Sequence, residues 1–452
     1  TSEQPPPQPA LPEEERQKRE ADKRKARKNN GAKRGIHYEM EQEEHDVYPD
    51  DPDFDINKAR LVTTAPRICV RYECVPMRFI KHVYKIHTYA QDGRLFEGKT
   101  PVSAFLNSSY DGSFIAGLME LRYIQSLPVE RIINYFESHG FTLKKPTAHK
   151  LMEKASSLFE NLYKCIRQTA LSDPYKAADE TYYKILVPEK NSKGKGVRKG
   201  YLWVVVGINT RMIYLLYDDG SRSEKVILNE LGGCKGIIQS DGYSPYRKLE
   251  SDAYPHITRI PCLQHIKRKF IDCGEDDPDA KRIVEMINTL YQNEHKHKIG
   301  VDGWTVEQNL VHRKKYAPDI LGEIKDVLDD IEERGDLLPK SELKEAITYL
   351  RNEWNAVVDI FNYGDTYLDN NIVERMNRYI SLSRKNSLFF GSHKGAERGA
   401  ILYTIALTCR MNKVNLFEYL TDVINRTAEW QPNTPLEKYR QLLPDRWEKA
   451  ND

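Results

Sequence analysis

The chain has 452 residues, enough for several domains with a sizeable core, and its 69 Lys and Arg nearly balance 67 Asp and Glu, for a formal charge of +2. That balance neither demands nor excludes nucleic acid, so local clustering has to decide. Seven cysteines without a repeating spacing fit reduced thiols rather than a disulfide framework, and no apolar run approaches the ~20 residues needed to span a bilayer. The N-terminus lacks a signal-peptide core and opens on Thr rather than Met, so a soluble cytoplasmic protein is expected, with its native start upstream.

Residues 1–58 combine a Pro/Gln opening, a basic run from Arg16 to Arg34 and an acidic run from Glu39 to Asp55 that holds no Lys or Arg. Too little apolar surface is present to offset ordering entropy, so a disordered charged tail is predicted. The basic run reads either as a nucleic-acid arm or as a solvated tail neutralising its acidic neighbour. Residues 59–100 form a small β region in which RFIKHVYKIHTYA alternates as a strand does. Cys69, Cys74, His82 and His87 lie here, but C-x4-C followed by H-x4-H lacks the tight knuckles of zinc modules, so no zinc site is predicted.

Residues 101–172 read as helical. FIAGLMELRYIQS and LPVERIINYFESHGF give two helices, the second ended by Gly140, and a third runs from Pro146 to Leu158. Lys145, Lys150 and their basic neighbours mark this third helix. Helix, Gly turn and basic helix outline a helix-turn-helix DNA-binding region, and two packed amphipathic helices would read the same way. Over residues 173–274 the period changes. ETYYKILVPE, GYLWVVVGIN and MIYLLYDD form an antiparallel meander, followed by a helix near Ser221 to Leu231, the strand GIIQSD, a further helix near Tyr246 and the strand ITRIP. That order is the order of a ribonuclease-H-like α/β core. Asp179 opens the first strand and Asp241 ends the fourth, neighbours in such a core; singly, the first reads as a strand cap and the second, before Gly242, as a turn.

CLQHIKRKFIDC then begins a basic helix with Cys262 and His265 three apart, and residues 275–365 read as an all-helical insertion. Residues 366–425 return to the core with YLDNNIVERMNRYISLSRKNSLFFGS, which sets Glu374 in the first turn of a helix with Arg375 and Arg378 behind it and Arg384, Lys385 and Asn386 further on. Asn371-x-x-Glu374 also has the form of a capping box. Residues 426–452 are a C-terminal tail segment.

ADET at 178–181, GYLW at 200–203, QSDGYSPY at 239–246, PCLQHIKRKF at 261–270, LYQNE at 290–294, KSELKEAITYL at 340–350, LDNNIVERMNR with SRKNSLFFGS, and LLPDRW near the end resemble the IS-sixty-six family of insertion-sequence transposases, a branch of the DDE transposases, from about Leu118 onward. The resemblance implies a ribonuclease-H-like core with a helical insertion and an acidic triad of Asp179, Asp241 and Glu374 as catalytic and metal-holding residues. Two Mg²⁺, with Mn²⁺ as a substitute, are the implied cofactors, since ions about 4 Å apart stabilise both oxygens of an in-line displacement at phosphorus. Asp179 is expected to bridge them, and of the adjacent Asp179 and Glu180 only one can reach the ions. Arg222, His265, Lys267, Arg268, Lys269, Arg375, Arg378, Arg384, Lys385 and Asn386, with Lys145 and Lys150, are the expected DNA-binding set. The implied partners are the element's terminal inverted repeats and target DNA, a second copy of the chain in a dimer or larger assembly, and accessory transposition proteins; association with the nucleoid follows. The alternatives are a catalytically inactive, transposase-derived DNA-binding protein and a nuclease of the same fold. Family members commonly carry cysteine pairs ahead of the helical region, and here HTYAQDGR stands in the place of the second pair.

Overall fold

The computed structural model describes residues 41–449 except 64, 76–77, 102, 106–107, 191–195 and 432. Residues 1–40, which include the basic run, lie outside the described residues.

The N-terminal part is a pair of three-stranded sheets. β1 (Glu41–Val47) lies parallel to β4 (Arg78–Ile86), which pairs antiparallel with β3 (Arg67–Val75); β2 (Arg60–Leu61), β5 (Thr88–Gln91) and β6 (Arg94–Glu97) form the other. The acidic run is thus not all tail: Glu41–Val47 is a strand. The reason is cross-strand charge, because Lys85 pairs with Glu44 at 2.5 Å and His87 with Asp46 at 2.9 Å, and composition alone hides such partners.

Four helices follow: α1 (Gly112–Met119), extended by a π-helical turn over Glu120–Ile124, α2 (Val129–Ser138), α3 (Lys145–Leu158) and α4 (Glu160–Ser172). The predicted third helix, Pro146 to Leu158, is α3 to within one residue, and Phe159 separates it from α4, a further helix not assigned from the sequence. The central sheet comprises β7 (Tyr175–Leu186), β8 (Val197–Gly207), β9 (Met212–Leu216), β10 (Gly236–Ser240) and β11 (Ile257–Pro261), in the spatial order β11-β10-β7-β8-β9. The first three are antiparallel neighbours; β10 and β11 join parallel, after α5 (Glu224–Leu231) and the short α6 (Ser244–Arg247). Buried Leu202 to Val206 and Met212 to Leu215 are apolar on both faces, as strands covered on two sides must be.

α7 (Leu263–Ile271) leads into three long helices, α8 (Pro278–His295), α9 (Val306–Glu333) and α10 (Glu342–Ile360). Their apolar faces form a second hydrophobic cluster that also takes in Tyr175, Ile237, Ile260, Leu263 and Ile266. The inserted helices therefore share a core with one face of the sheet edge. The chain returns through α11 (Asn371–Ser387), β12 (Phe389–Phe390), paired parallel to β7, α12 (His393–Met411), α13 (Leu416–Thr427) and α14 (Leu436–Arg440). No helix among the described residues is long and apolar enough to cross a membrane.

Candidate active site

Asp179 does not open β7 but lies in its middle, opposite Val204 of β8. On the other side, Ile238 faces Lys176 and Gln239 faces Ala177, so two further steps of the same register set Asp241, just past the end of β10, beside Asp179. The site thus forms where Asp179, within β7, meets Asp241, one residue past the end of the parallel strand β10.

Glu374 arrives from α11. The entry to that helix is fixed by a polar network: the Tyr175 hydroxyl donates to Gln239 Oε1 (2.6 Å) and accepts from the Tyr367 amide (3.0 Å), while Gln239 Nε2 donates to the Tyr367 carbonyl (2.8 Å). Asn370 adds a bond from its side-chain amide to the Ala178 carbonyl, 2.9 Å, one residue before Asp179. One turn after Glu374, Asn377 donates to Asp179 Oδ2 at 2.7 Å, joining helix and strand at the acid itself. The capping-box form is not realised: the N-cap is Asn370, without a side-chain cap bond, and Glu374 turns instead toward His265, whose Nε2 lies 3.7 Å from its Oε1. That oxygen is buried without a hydrogen bond.

Asp241 is held from the insertion. Buried Arg259 donates to the Asp241 carbonyl (2.7 Å), Ser240 Oγ (3.0 Å), Glu250 (2.6 Å) and Glu353 of α10 (2.6 Å). Tyr349 of α10 accepts from the Gly242 amide at 2.8 Å, and a Cβ at Gly242 would stand 2.4 Å from that hydroxyl. Any side chain there requires the Tyr349 ring to move.

Three carboxylates, Asp179, Glu180 and Asp241, meet in this region. Burial, and then the charges of Asp241 and Glu180, push Asp179 up to about 8. Glu180 is also raised, by burial first, but Arg222 offsets this through an Nε contact of 3.1 Å to Oε1. Arg222 lies 4.1 Å from the ring centre of Tyr243, pairs with Glu180 and lines the same cleft as Asp241.

The other predicted bases divide. His265, Arg268 and Lys269 line a cleft of about 400 Å³ with Asp241, Tyr243 and Tyr349, and Lys267 lies over the Tyr291 ring. Arg375 and Arg378 line a larger cleft of about 680 Å³ with Arg211, Arg410 and Lys413, three cations not singled out from the sequence. Arg384 donates to the Tyr182 carbonyl at 2.6 Å and covers its ring, and Asn386 donates to the Ser126 carbonyl at 3.0 Å; both tie α11 down, while Lys385 is exposed. Lys145 pairs with Glu130 of α2, and Lys150 is exposed on α3, away from these contacts in sequence.

Cys262, His265 and Glu374 bring ligand atoms within 4.8 Å of one another. Cys262 is nevertheless a poor ligand, since its sulfur accepts from the Asn370 amide at 3.2 Å and burial pushes its thiol to about 12. Asn377, Arg259 and Tyr349 were not among the predicted residues; each acts across a long sequence separation, which leaves no local signal.

The chain matches the family model described as "Transposase IS66 family" over residues 107–398. Among curated proteins it is similar to the uncharacterized protein y4jD of Sinorhizobium fredii (strain NBRC 101917 / NGR234), 26% identical over 74% of this chain and 65% of the relative, so it spans just under two thirds of that protein. The uncharacterized protein y4hP of the same organism is 24% identical over 88% of this chain and 76% of its own length. With the model covering well over half of its residues, the chain belongs to the IS66 transposase family.

Proposed function

We propose that the chain is a DDE transposase that cuts the ends of an insertion sequence and joins them to target DNA, using Asp179, Asp241 and Glu374 on a ribonuclease-H-like core. The observation that carries this reading is the convergence of acids from the adjacent parallel strands β7 and β10, with α11 bonded through Asn377 to the first of them. The strand order β11-β10-β7-β8-β9, three antiparallel and two parallel, supports the core assignment.

The family implies a divalent metal, and the donors fit a hard one. They are carboxylate oxygens; Asp179 is driven toward its protonated form by burial among like charges, which a dication would relieve, and Glu374 Oε1 is buried without a partner. Asp179, Asp241 and Glu374 would hold Mg²⁺, or Mn²⁺ in its place. When bound, such ions stabilise the attacking and leaving oxygens of an in-line displacement at phosphorus.

The protein's own groups orient this centre. Asn377 fixes the Asp179 carboxylate, Arg259 and Tyr349 fix the loop carrying Asp241, and Arg222 neutralises Glu180. His265, Arg268 and Lys269, which share a cleft with Asp241, and Arg375 and Arg378 in their own cleft would grip DNA phosphates, with α3 of the helical 101–172 region as a further contact. Water attacks the phosphorus at the element end and breaks its bond to the 3′ oxygen, which leaves as a 3′-OH; that 3′-OH then attacks a target phosphodiester, displacing the target's own 3′ oxygen, which takes up the proton. Holding two ends at once calls for a dimer or larger assembly, with accessory proteins as further partners.

The test is incubation of the purified chain and Mg²⁺ with DNA carrying the element's terminal inverted repeats. Cleavage and joining are expected from the wild type and not from Asp241→Ala. An inactive wild type, or a fully active variant, would overturn the assignment.

A further inference from the structure

The sheet of β1, β4 and β3 carries a second cluster, separate from the acids. Parallel pairing sets Glu43 opposite His82, and antiparallel pairing sets Arg71 opposite His82 and Glu73 two residues along. Alternation along each strand then puts Glu43, His45, His82 and Glu73 on one face. His45 Nε2 and His82 Nδ1 point at each other across 3.2 Å, and Glu43 Oε2 lies 3.7 Å from each.

We propose that Glu43, His45 and His82 form a zinc site that fastens β1 to the sheet. Zinc binds imidazole nitrogen and carboxylate oxygen at about 2.0–2.1 Å in a tetrahedron, whose ligand atoms are then about 3.3–3.4 Å apart. The three observed separations bracket that edge. The second nitrogen of His82 bonds Glu73 Oε2 at 2.7 Å. A carboxylate on the far side of a ligating histidine sets the tautomer with its free lone pair toward the metal. Side-chain exposure of 12% for His82 and 44% for His45 leaves the fourth position to solvent. Arg71 is the cation on the same face, and its guanidinium is directed to the carbonyls of Val70 and Pro101. Cys69 is not part of the cluster.

The site is independent of the catalytic reading, and its test does not use DNA. The full chain, stripped with chelator, is titrated with Zn²⁺ against a chromophoric chelator in excess Mg²⁺, which occupies oxygen-only sites but competes poorly for imidazole. A single tight equivalent is expected. It should be lost in His45→Ala and His82→Ala and weakened about 10–100-fold in Glu73→Gln, the change expected for an outer-shell partner. Because His45 lies exposed on an edge strand, circular dichroism of His45→Ala should be unchanged. Co²⁺ in place of zinc should give four-coordinate visible absorption without a thiolate charge-transfer band, and amide exchange over Glu41–Val47 should slow on metal addition. Equal zinc affinity in wild type and His82→Ala, or a thiolate band, would overturn the proposal.

Discussion

Replacing Glu353 by Ala separates the insertion from the site it supports. Glu353 and Arg259 are both 0% exposed and meet at 2.6 Å, so the substitution leaves a buried guanidinium short of one carboxylate. Breaking such a pair costs about 3–5 kcal/mol, and the lower end applies because Glu250 still accepts from Arg259. Arg259→Met should cost more, since Glu353 would keep only Arg247, 3.9 Å away. Urea unfolding followed by the fluorescence of the five tryptophans, buried Trp203 among them, measures both. The double variant Arg259→Met, Glu353→Leu should recover most of the stability, because buried pairs are often replaceable by apolar groups. It should still cut DNA about tenfold or more slowly, since the Asp241 carbonyl has lost its Arg259 donor, a bond of about 1–2 kcal/mol. Single variants within 1 kcal/mol of wild type, or a double variant with wild-type cleavage, would refute the view that the insertion positions Asp241.

Gly242→Ala drives a methyl into Tyr349 and should reduce cleavage at least tenfold in the same assay, with added Tyr349→Ala relieving the clash but not restoring the amide bond. Folded Asp179 holds its proton to about pH 8, whereas an unfolded aspartate releases it near its ordinary 3.8. The folded state therefore binds more protons, so stability of the metal-free chain should fall as pH rises from about 4 to about 8 and level off above; thermal melts of Asp179→Asn should lack that slope. Cys262, held near 12 as a thiol, should resist alkylation at pH 8 in the native chain and react on unfolding, read by mass spectrometry.

The strands of the central sheet, and Asp241 at the end of β10, were legible because apolar runs and turn residues are local signals, whereas Asp179 lies within β7 and not at its start. Glu374 was singled out from a sequence that also fits a capping box, and the tertiary contact with His265, with the bond from Asn377 to Asp179, speaks against the cap. What sequence did not show depends on distant partners. Arg222 and Arg384 look like free cations until Glu180 and Tyr182 are placed beside them. The acidic strand β1 has no apolar alternation and exists by pairing with β4, which is also why Glu43 and His45 had no visible link to His82. Arg259 reaches Glu353 across 94 residues, a distance no spacing rule spans.

On the proposed function, the three carboxylates, and not the Cys262 sulfur, would hold the metal. Crystals of the chain soaked in Mn²⁺ and measured for anomalous scattering test it directly. Density bounded by Asp179, Asp241 and Glu374 that vanishes in Asp179→Asn is expected. Manganese seated between Cys262 and His265, or density that survives loss of Asp179, would contradict it.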